Sequence, residues 1–526
     1  MSIKFDNITN ELNISNATLQ NWIKTNCLTA DRNGFITTES YDYFKENILG
    51  KNKLNKRANK QYFDKPNIAF NINKNDDANK NAVQYEQSLS IAERNKKGIY
   101  YTPNSSIDEI FSALPTLKET DTFLDPCCGT GNFLIKALEK GIEPENIYGF
   151  DIDKTALKIA NNRFYQLTGQ HSNNIKLVNL LEEKHEQKYN FIFTNPPWGY
   201  KFNTQQKNNY AKKFNNGIKV DSSALFVLVC LNIVQKDGMM GVLLPDSFFN
   251  ISTFKSVRKV LLKKAIIQLI NHNKPFDGLQ TKAYSFIVKN SNTLTNIKCK
   301  TQTSEHTRKQ IDFIKNPNYI INFDATKIEA KIISHLYSYP HQTLTGKAQW
   351  GLGIVTGNNA KHLITTTKNN YKPIFKGVDI EKGKIKKHNF YIFDDFSKLQ
   401  QTANKKLYLA DKKIVYRFIN SNLIFAVDEK QRYFLNSANF LILKQDTLFI
   451  EDRLEITEEQ LVFLMNTEIM NWLFKKLFRT HKILRSDLEK LPIFNEFFKI
   501  HNNYCEQDLH AYLNIEKYNG TFRVKT

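Results

Sequence analysis

The chain has 526 residues, 41% of them hydrophobic and 24% charged, enough for two or three domains with cores of their own. Lys and Arg exceed Asp and Glu by 22, and the pI near 9.4 points to a polyanionic partner, nucleic acid being the usual one. Six cysteines without CxxC or metal-ligand spacing exclude a disulfide framework and a cysteine metal centre. Without an apolar signal core or an apolar run of about 18 residues, a reduced cytoplasmic protein outside any membrane is expected.

The charge is uneven. It is +4 over residues 1–100, −4 over 101–200, +12 over 201–300 and +10 over 301–526. Residues 1–49 read as a small helical unit, with Ile8 and Leu12 one turn apart and Ser15 placed to cap a helix bearing Leu19, Trp22 and Ile23. Two short helices about a polar turn resemble the small helix-turn-helix units of many DNA-binding proteins. The same pattern also fits a helical hairpin packed on the next domain. Residues 50–91 are basic and Asn-rich, which predicts a linker.

From Ala92 the pattern tightens, and a helix is expected from about Ser105 to Leu114. Phe123 to Leu134 reads as strand, glycine turn and helix, with the turn at Asp125-Pro126-Cys127-Cys128-Gly129-Thr130-Gly131. Gly129 and Gly131 let the backbone approach a ligand, and Asp125 suits a cationic ammonium. Leu134 stands where a dinucleotide fold would want a third glycine. Cys127 and Cys128, inside this turn, read as small buried residues. Ile147 to Asp151 forms a second strand ending in an acid placed to accept ribose hydroxyls, and Asp153 caps the helix that follows. Ile175 to Asn179 is the third strand.

The fourth strand, Tyr189 to Thr194, runs into Asn195-Pro196-Pro197-Trp198. Two prolines forbid helix and hold the chain extended at a strand's carboxyl end, where open α/β sheets bind ligands. The Asn195 oxygen and the Pro196 carbonyl are two acceptors beside the Trp198 indole. Such a set suits a planar ring bearing NH2, and an adenine amino group fits it.

Asn-Pro-Pro-Trp, after the Asp125–Gly131 turn and Asp151, resembles the Asn/Asp-Pro-Pro-aromatic signature of amino-group methyltransferases. The motif order is similar to that of TaqI-type N6-adenine DNA methyltransferases of type II restriction-modification systems, from about Gly98 to Ile493. The resemblance implies an α/β fold: a class I S-adenosylmethionine-dependent methyltransferase with a Rossmann-like seven-stranded sheet, completed by Gly241–Pro245, Ile266–Ile270 and Ser285–Val288. It implies S-adenosylmethionine as cofactor and no metal. Tyr101, Thr102 and Pro103 would face the methionine end of the cofactor, beside Asp125, Pro126, Gly129 and Gly131. Asp151 would take the ribose, and Asn179, where the family commonly has aspartate, the adenine amino group. Asn195, Pro196, Pro197 and Trp198 would hold the target base, with Phe276 opposite Trp198.

The lysine-rich stretch Gly199–Val220 resembles a mobile loop that approaches DNA. The resemblance divides the chain into a catalytic domain, residues 92–290, and a mixed α+β target-recognition domain, residues 291–526. Gly353–Asn359, Lys372–Ile380 and Leu488–Ile493 are landmarks of that second domain. The implied partners are double-stranded DNA and a cognate restriction endonuclease. The competing readings are an RNA adenine or protein glutamine methyltransferase and a DNA-binding regulator with an inactive methyltransferase fold.

Overall fold

A computed structural model describes residues 2–12, 19–20, 22–23, 27–30, 35–48, 77–89, 100–200, 202–214, 221–276, 281–444 and 453–525. The chain forms two compact units, Met1–Pro245 with His272–Asn290 and Asp246–Asn271 with Ser291–Thr526. It therefore passes from one unit to the other after 245, 271 and 290.

All seven strands read from the apolar runs form, six of them in the first unit. Their order there is Ala283–Lys289, Val234–Pro245, Tyr189–Thr194, Phe123–Asp125, Ile147–Asp151, Ile175–Leu177. Pairing is parallel except between Val234–Pro245 and Ala283–Lys289. Phe191 through Thr194 are all buried, as a strand covered on both faces requires. Phe123–Asp125 has Ile147–Asp151 on one side and Tyr189–Thr194 on the other, so the strand order reverses there. A crevice opens at such a reversal, outside the strands' carboxyl ends.

The helices follow their local signals. Lys154–Thr168 starts on Asp153, whose Oδ1 accepts from the Thr155 and Ala156 amides at 2.9 and 3.3 Å. Ser222–Ile233 is buried at every position but Asn232, which explains its apolar composition on all sides.

Two stretches differ from the sequence reading. Within the expected linker, Ala78–Ser88 is a helix capped by Asp77. Its Ala82 and Tyr85, with Leu89, pack on Ala156 and Ile159. Composition hid it because three apolar residues suffice when the opposing surface is already formed. Within the expected mobile loop, Thr204–Phe214 is a helix with Tyr210 buried. It starts on reciprocal bonds, Gln206 N to Asn203 Oδ1 at 2.8 Å and Asn203 N to Gln206 Oε1 at 3.1 Å.

Near the N-terminus, helices Phe5–Glu11 and Thr38–Asn47 and the paired strands Ser2–Ile3 and Ile36–Thr37 enclose Ile8, Leu19, Leu28, Ile36 and Phe44. The turn expected at Asn13-Ile14 and the Ser15 cap lie outside the described residues. The exposed face of Thr38–Asn47 carries Glu39, Asp42 and Glu46 against Lys45.

The second unit is mixed α+β, as expected. Ala265–Asn271 pairs in parallel with Asn296–Lys300, which pairs antiparallel with Glu305–Lys309. An antiparallel sheet has the order Ala348–Leu352, Ala438–Leu443, Lys413–Arg417, Phe425–Asp428. Another runs Leu363–Ile364, Phe390–Phe393, Tyr371–Phe375, Tyr433–Phe434. Helices Glu458–Asn466 and Glu468–Leu477 bury Leu461, Leu464, Leu473 and Phe474 in the core that contains Leu491 and Ile493 of the last landmark. The other two landmarks contain glycines because a Cβ at Gly353 or Gly377 would overlap the backbone of Leu435–Ala438.

Candidate active site

A cavity of about 520 Å³ opens where the first four strands end. That volume suits a small-molecule ligand. Its wall includes Tyr101, Thr102, Asp125, Pro126, Gly129, Asp151, Asn179, Asn195 and Pro197 of the expected set. Pro103, Gly131, Pro196, Trp198 and Phe276 stand outside the wall.

Gly129 and Gly131 take φ of 51° and 90°, left-handed values that a residue with a Cβ adopts at a cost. The turn they make brings the Gly129 amide 2.8 Å from Asp151 Oδ2, while Asp151 Oδ1 accepts from the Asp153 amide at 2.9 Å. Asp125 is 1% exposed, and its Oδ1 accepts from the Cys127 amide at 3.0 Å. Burial pushes the Asp125 carboxyl up to about 7, with Asp151 nearby adding to the shift, and burial also raises Asp151. A buried and a half-buried carboxylate in a concave wall favour a cation. Burial pushes the Cys127 and Cys128 thiols well above the usual range, which leaves them protonated and inert as nucleophiles.

Asn195 is oriented by one bond. Its Nδ2 donates to the Tyr100 carbonyl at 2.7 Å, and its Oδ1 is buried with no hydrogen-bond partner. A buried acceptor left bare costs about 1–3 kcal/mol, so the site holds an acceptor that a ligand can satisfy. Pro197 is fixed by Ser222 Oγ, which donates to its carbonyl at 2.5 Å. Asn179 lies in the wall, with its Oδ1 accepting from the Leu181 amide at 3.3 Å.

The two aromatics expected to face each other are in direct contact. Trp198 and Phe276 lie edge to face, ring centroids 5.2 Å apart, and each is 7% exposed. Tyr100 packs on both, and the Trp198 indole N–H donates to the Leu243 carbonyl at 3.3 Å. A ring held between them needs a van der Waals contact of about 3.5 Å on each side. The two rings cover each other, and Tyr100, Leu243 and Ala283 complete the apolar cluster around them.

Several wall residues were not read from the sequence: Tyr200, Phe202, Gln206, Tyr210 and Phe226. Phe202 and Tyr210 meet edge to face at 4.9 Å, and the Tyr210 hydroxyl donates to Glu182 at 3.0 Å. The signal that could have found them is Asn203-Thr204-Gln205-Gln206, a helix start whose fourth residue reaches back. Among the described residues no cluster of His, Cys, Asp and Glu could hold a metal ion, and no helix is long and apolar enough to cross a membrane.

Residues 81–272 match the N-6 DNA methylase family and residues 372–493 the TaqI-like C-terminal specificity domain. The chain is 40% identical over 393 residues to the type II methyltransferase M.VspI of Vibrio sp. (strain 343), a match covering 72% of this chain and 96% of that one. It is 24% identical over 216 residues to the modification methylase CviBIII of Paramecium bursaria Chlorella virus NC1A, covering 40% of this chain and 54% of that one. The type IIL restriction-modification enzyme MmeI, solved in complex with DNA, has a similar fold, with a TM-score of 0.52 at 12% identity over 78% of this chain and 70% of that one.

Proposed function

This chain belongs to the TaqI-type N6-adenine DNA methyltransferases of type II restriction-modification systems, and from that premise we propose that it methylates N6 of an adenine at a specific duplex site. The observation that carries the reading is the Asn195 carboxamide, held by Tyr100 with its Oδ1 buried and bare at the cavity. An amino group brought there donates one hydrogen to Asn195 Oδ1 and the other to the Pro196 carbonyl. Accepting both draws the nitrogen toward tetrahedral geometry and frees a lone pair otherwise delocalised into the ring.

The cavity wall fits S-adenosylmethionine. Asp125 and Asp151 oppose positive charge, the glycine turn gives backbone access, and Tyr101 and Thr102 close the side near Asn132. When bound, the cofactor supplies a methyl group on a sulfonium sulfur, open to in-line displacement. Asn195 and Pro196 align the acceptor nitrogen, and alignment supplies much of the rate.

A paired adenine cannot reach Asn195, so the base must leave the stack, at a cost of a few kcal/mol. Stacking on Trp198 and Phe276 offsets part of that, about 1–3 kcal/mol per ring contact, once their mutual contact opens. The residues matched by the specificity-domain family would read the duplex, and the product would be host DNA protected from an endonuclease of the same specificity.

Mapping N6-methyladenine in DNA from cells expressing the chain tests the reading. A single methylated adenine context is expected. Asn195→Ala should remove the mark while cofactor binding, read by calorimetry, stays within about twofold, since the lost acceptor costs about 3 kcal/mol in the barrier. Wild-type methylation by that variant would refute the assignment.

A further inference from the structure

Arg163 is a cation 9% exposed on the helix Lys154–Thr168, and none of the ion pairs among the described residues includes it. Its guanidinium is held instead by three neutral acceptors on two segments, the glycine turn with the helix start behind it and the helix Ala78–Ser88. Nη1 donates to the Thr130 carbonyl at 2.7 Å and to Asn132 Oδ1 at 2.7 Å, and Nε donates to Asn79 Oδ1 at 2.9 Å. Asn132 in turn donates from Nδ2 to the Thr102 carbonyl at 3.1 Å. Thr130, Asn132 and Thr102 all line the cavity, whereas Arg163 does not.

The third acceptor comes from the helix Ala78–Ser88, which reaches the site a second time. The Tyr85 hydroxyl donates to Asp153 Oδ2 at 2.6 Å, and the Asp153 amide donates to Asp151 Oδ1. Both routes end on the cavity wall. A guanidinium is planar, carries five donors and stays charged, so it can bind two acceptors through one nitrogen and a third through another. An ammonium on a flexible stem cannot hold the three in that geometry.

We infer that Arg163 is a positioning residue for the cofactor, fixing the glycine turn and the Thr102 segment against each other from behind the wall, with Asn79 of the preceding helix steadying it. This rests on the cavity being the S-adenosylmethionine site. Sequence alone does not single the residue out, because a lone arginine within an amphipathic helix looks like a solvated charge.

The test compares full-length wild type, Arg163→Lys, Arg163→Met and Asn79→Ala. Cofactor binding is read by calorimetry with S-adenosylmethionine, DNA binding by filter retention, and folding by thermal unfolding. Arg163→Lys keeps the charge and loses the fork, so its cofactor Kd should rise about tenfold. Arg163→Met should be weaker still, and Asn79→Ala, whose residue is exposed and whose fold is safe, should rise by about threefold. DNA affinity should stay within about twofold in the lysine and Asn79 variants, and KM for the cofactor should rise more than kcat falls. An unchanged cofactor Kd in folded Arg163→Lys and Asn79→Ala overturns the inference, as does equal loss of cofactor and DNA affinity. If wild type itself fails to bind S-adenosylmethionine, the reading of the cavity fails first.

Discussion

At the scale of single residues, charge and burial decide what the site can hold. Asp125 is the sharpest case, because burial pushes its carboxyl up to about 7. An acid with a higher pKa folded than unfolded keeps its proton in the native state between about pH 4 and 7. Its contribution to the stability of the cofactor-free protein is therefore greatest below pH 4 and declines as pH rises through about 7. Binding of a cationic cofactor runs the opposite way, since only the carboxylate attracts it. Affinity measured by calorimetry should be about tenfold weaker at pH 6 than at pH 8. Asp125→Asn should bind weakly and with a flat profile over that range, and a slope that persists in the asparagine variant would place the titrating group elsewhere. Asn195 shows the complementary rule: its residue type was readable, but only the bond to Tyr100 makes its oxygen the free end.

At the scale of elements, the helix Thr204–Phe214 replaces what composition suggests is a loop. It is strapped to the segment after the third strand by Tyr210 to Glu182 and by Lys213, whose Nζ donates to the Leu181 carbonyl at 2.7 Å. Gln206 and Tyr210 thereby become part of the cavity wall. Tyr210→Phe removes one hydrogen bond to a carboxylate, worth about 1.5–3 kcal/mol. It should raise the cofactor Kd several-fold and lower hydrogen-exchange protection across 204–214, leaving protection in Ser222–Ile233 unchanged. Equal protection in both proteins would mean the strap contributes nothing. The lysines of this stretch mislead because a charge run describes only an exposed face, and Phe202, Tyr210 and Phe214 describe the other.

At the scale of the whole molecule, the chain does not divide where the motifs end. Motifs for cofactor and chemistry stop near Val288, yet residues 246–271 belong with 291–526. Within that unit Arg258 is fully buried, donating to the carbonyls of Phe248 and Ile251 and to those of Asn318 and Tyr319. Gln310 likewise bonds the carbonyls of Leu262 and Lys264 and the amide of Ile266. A fragment ending at Asn290 keeps Arg258 and loses two of its acceptors, and an unpaired buried charge costs about 3–5 kcal/mol. It should therefore aggregate, or unfold at lower temperature and less cooperatively than the intact chain. Size-exclusion chromatography and a thermal melt check this, and a monodisperse fragment with a cooperative melt would show residues 291–526 to be dispensable for folding.

Local pattern alone specified the strands, the glycine turn, the acids that end the first two strands and the Asn195-Pro196-Pro197-Trp198 corner. Each is a local matter, set by residue types at short fixed offsets: apolar runs, a backbone without Cβ, a pair of prolines. The two glycine landmarks of the second unit were visible only through the family resemblance, and their reason was not readable at all, because Leu435–Ala438 lies far along the chain. Tertiary structure alone decided that Asn79 and Arg163 meet across a separation of 84 residues, and Tyr85 and Asp153 across 68. It alone decided that Trp198 closes on Phe276 and that the chain threads between units at 245, 271 and 290. Periodicity records which face of an element is apolar, but not which distant surface will cover it, and that partner is chosen only when the whole chain packs.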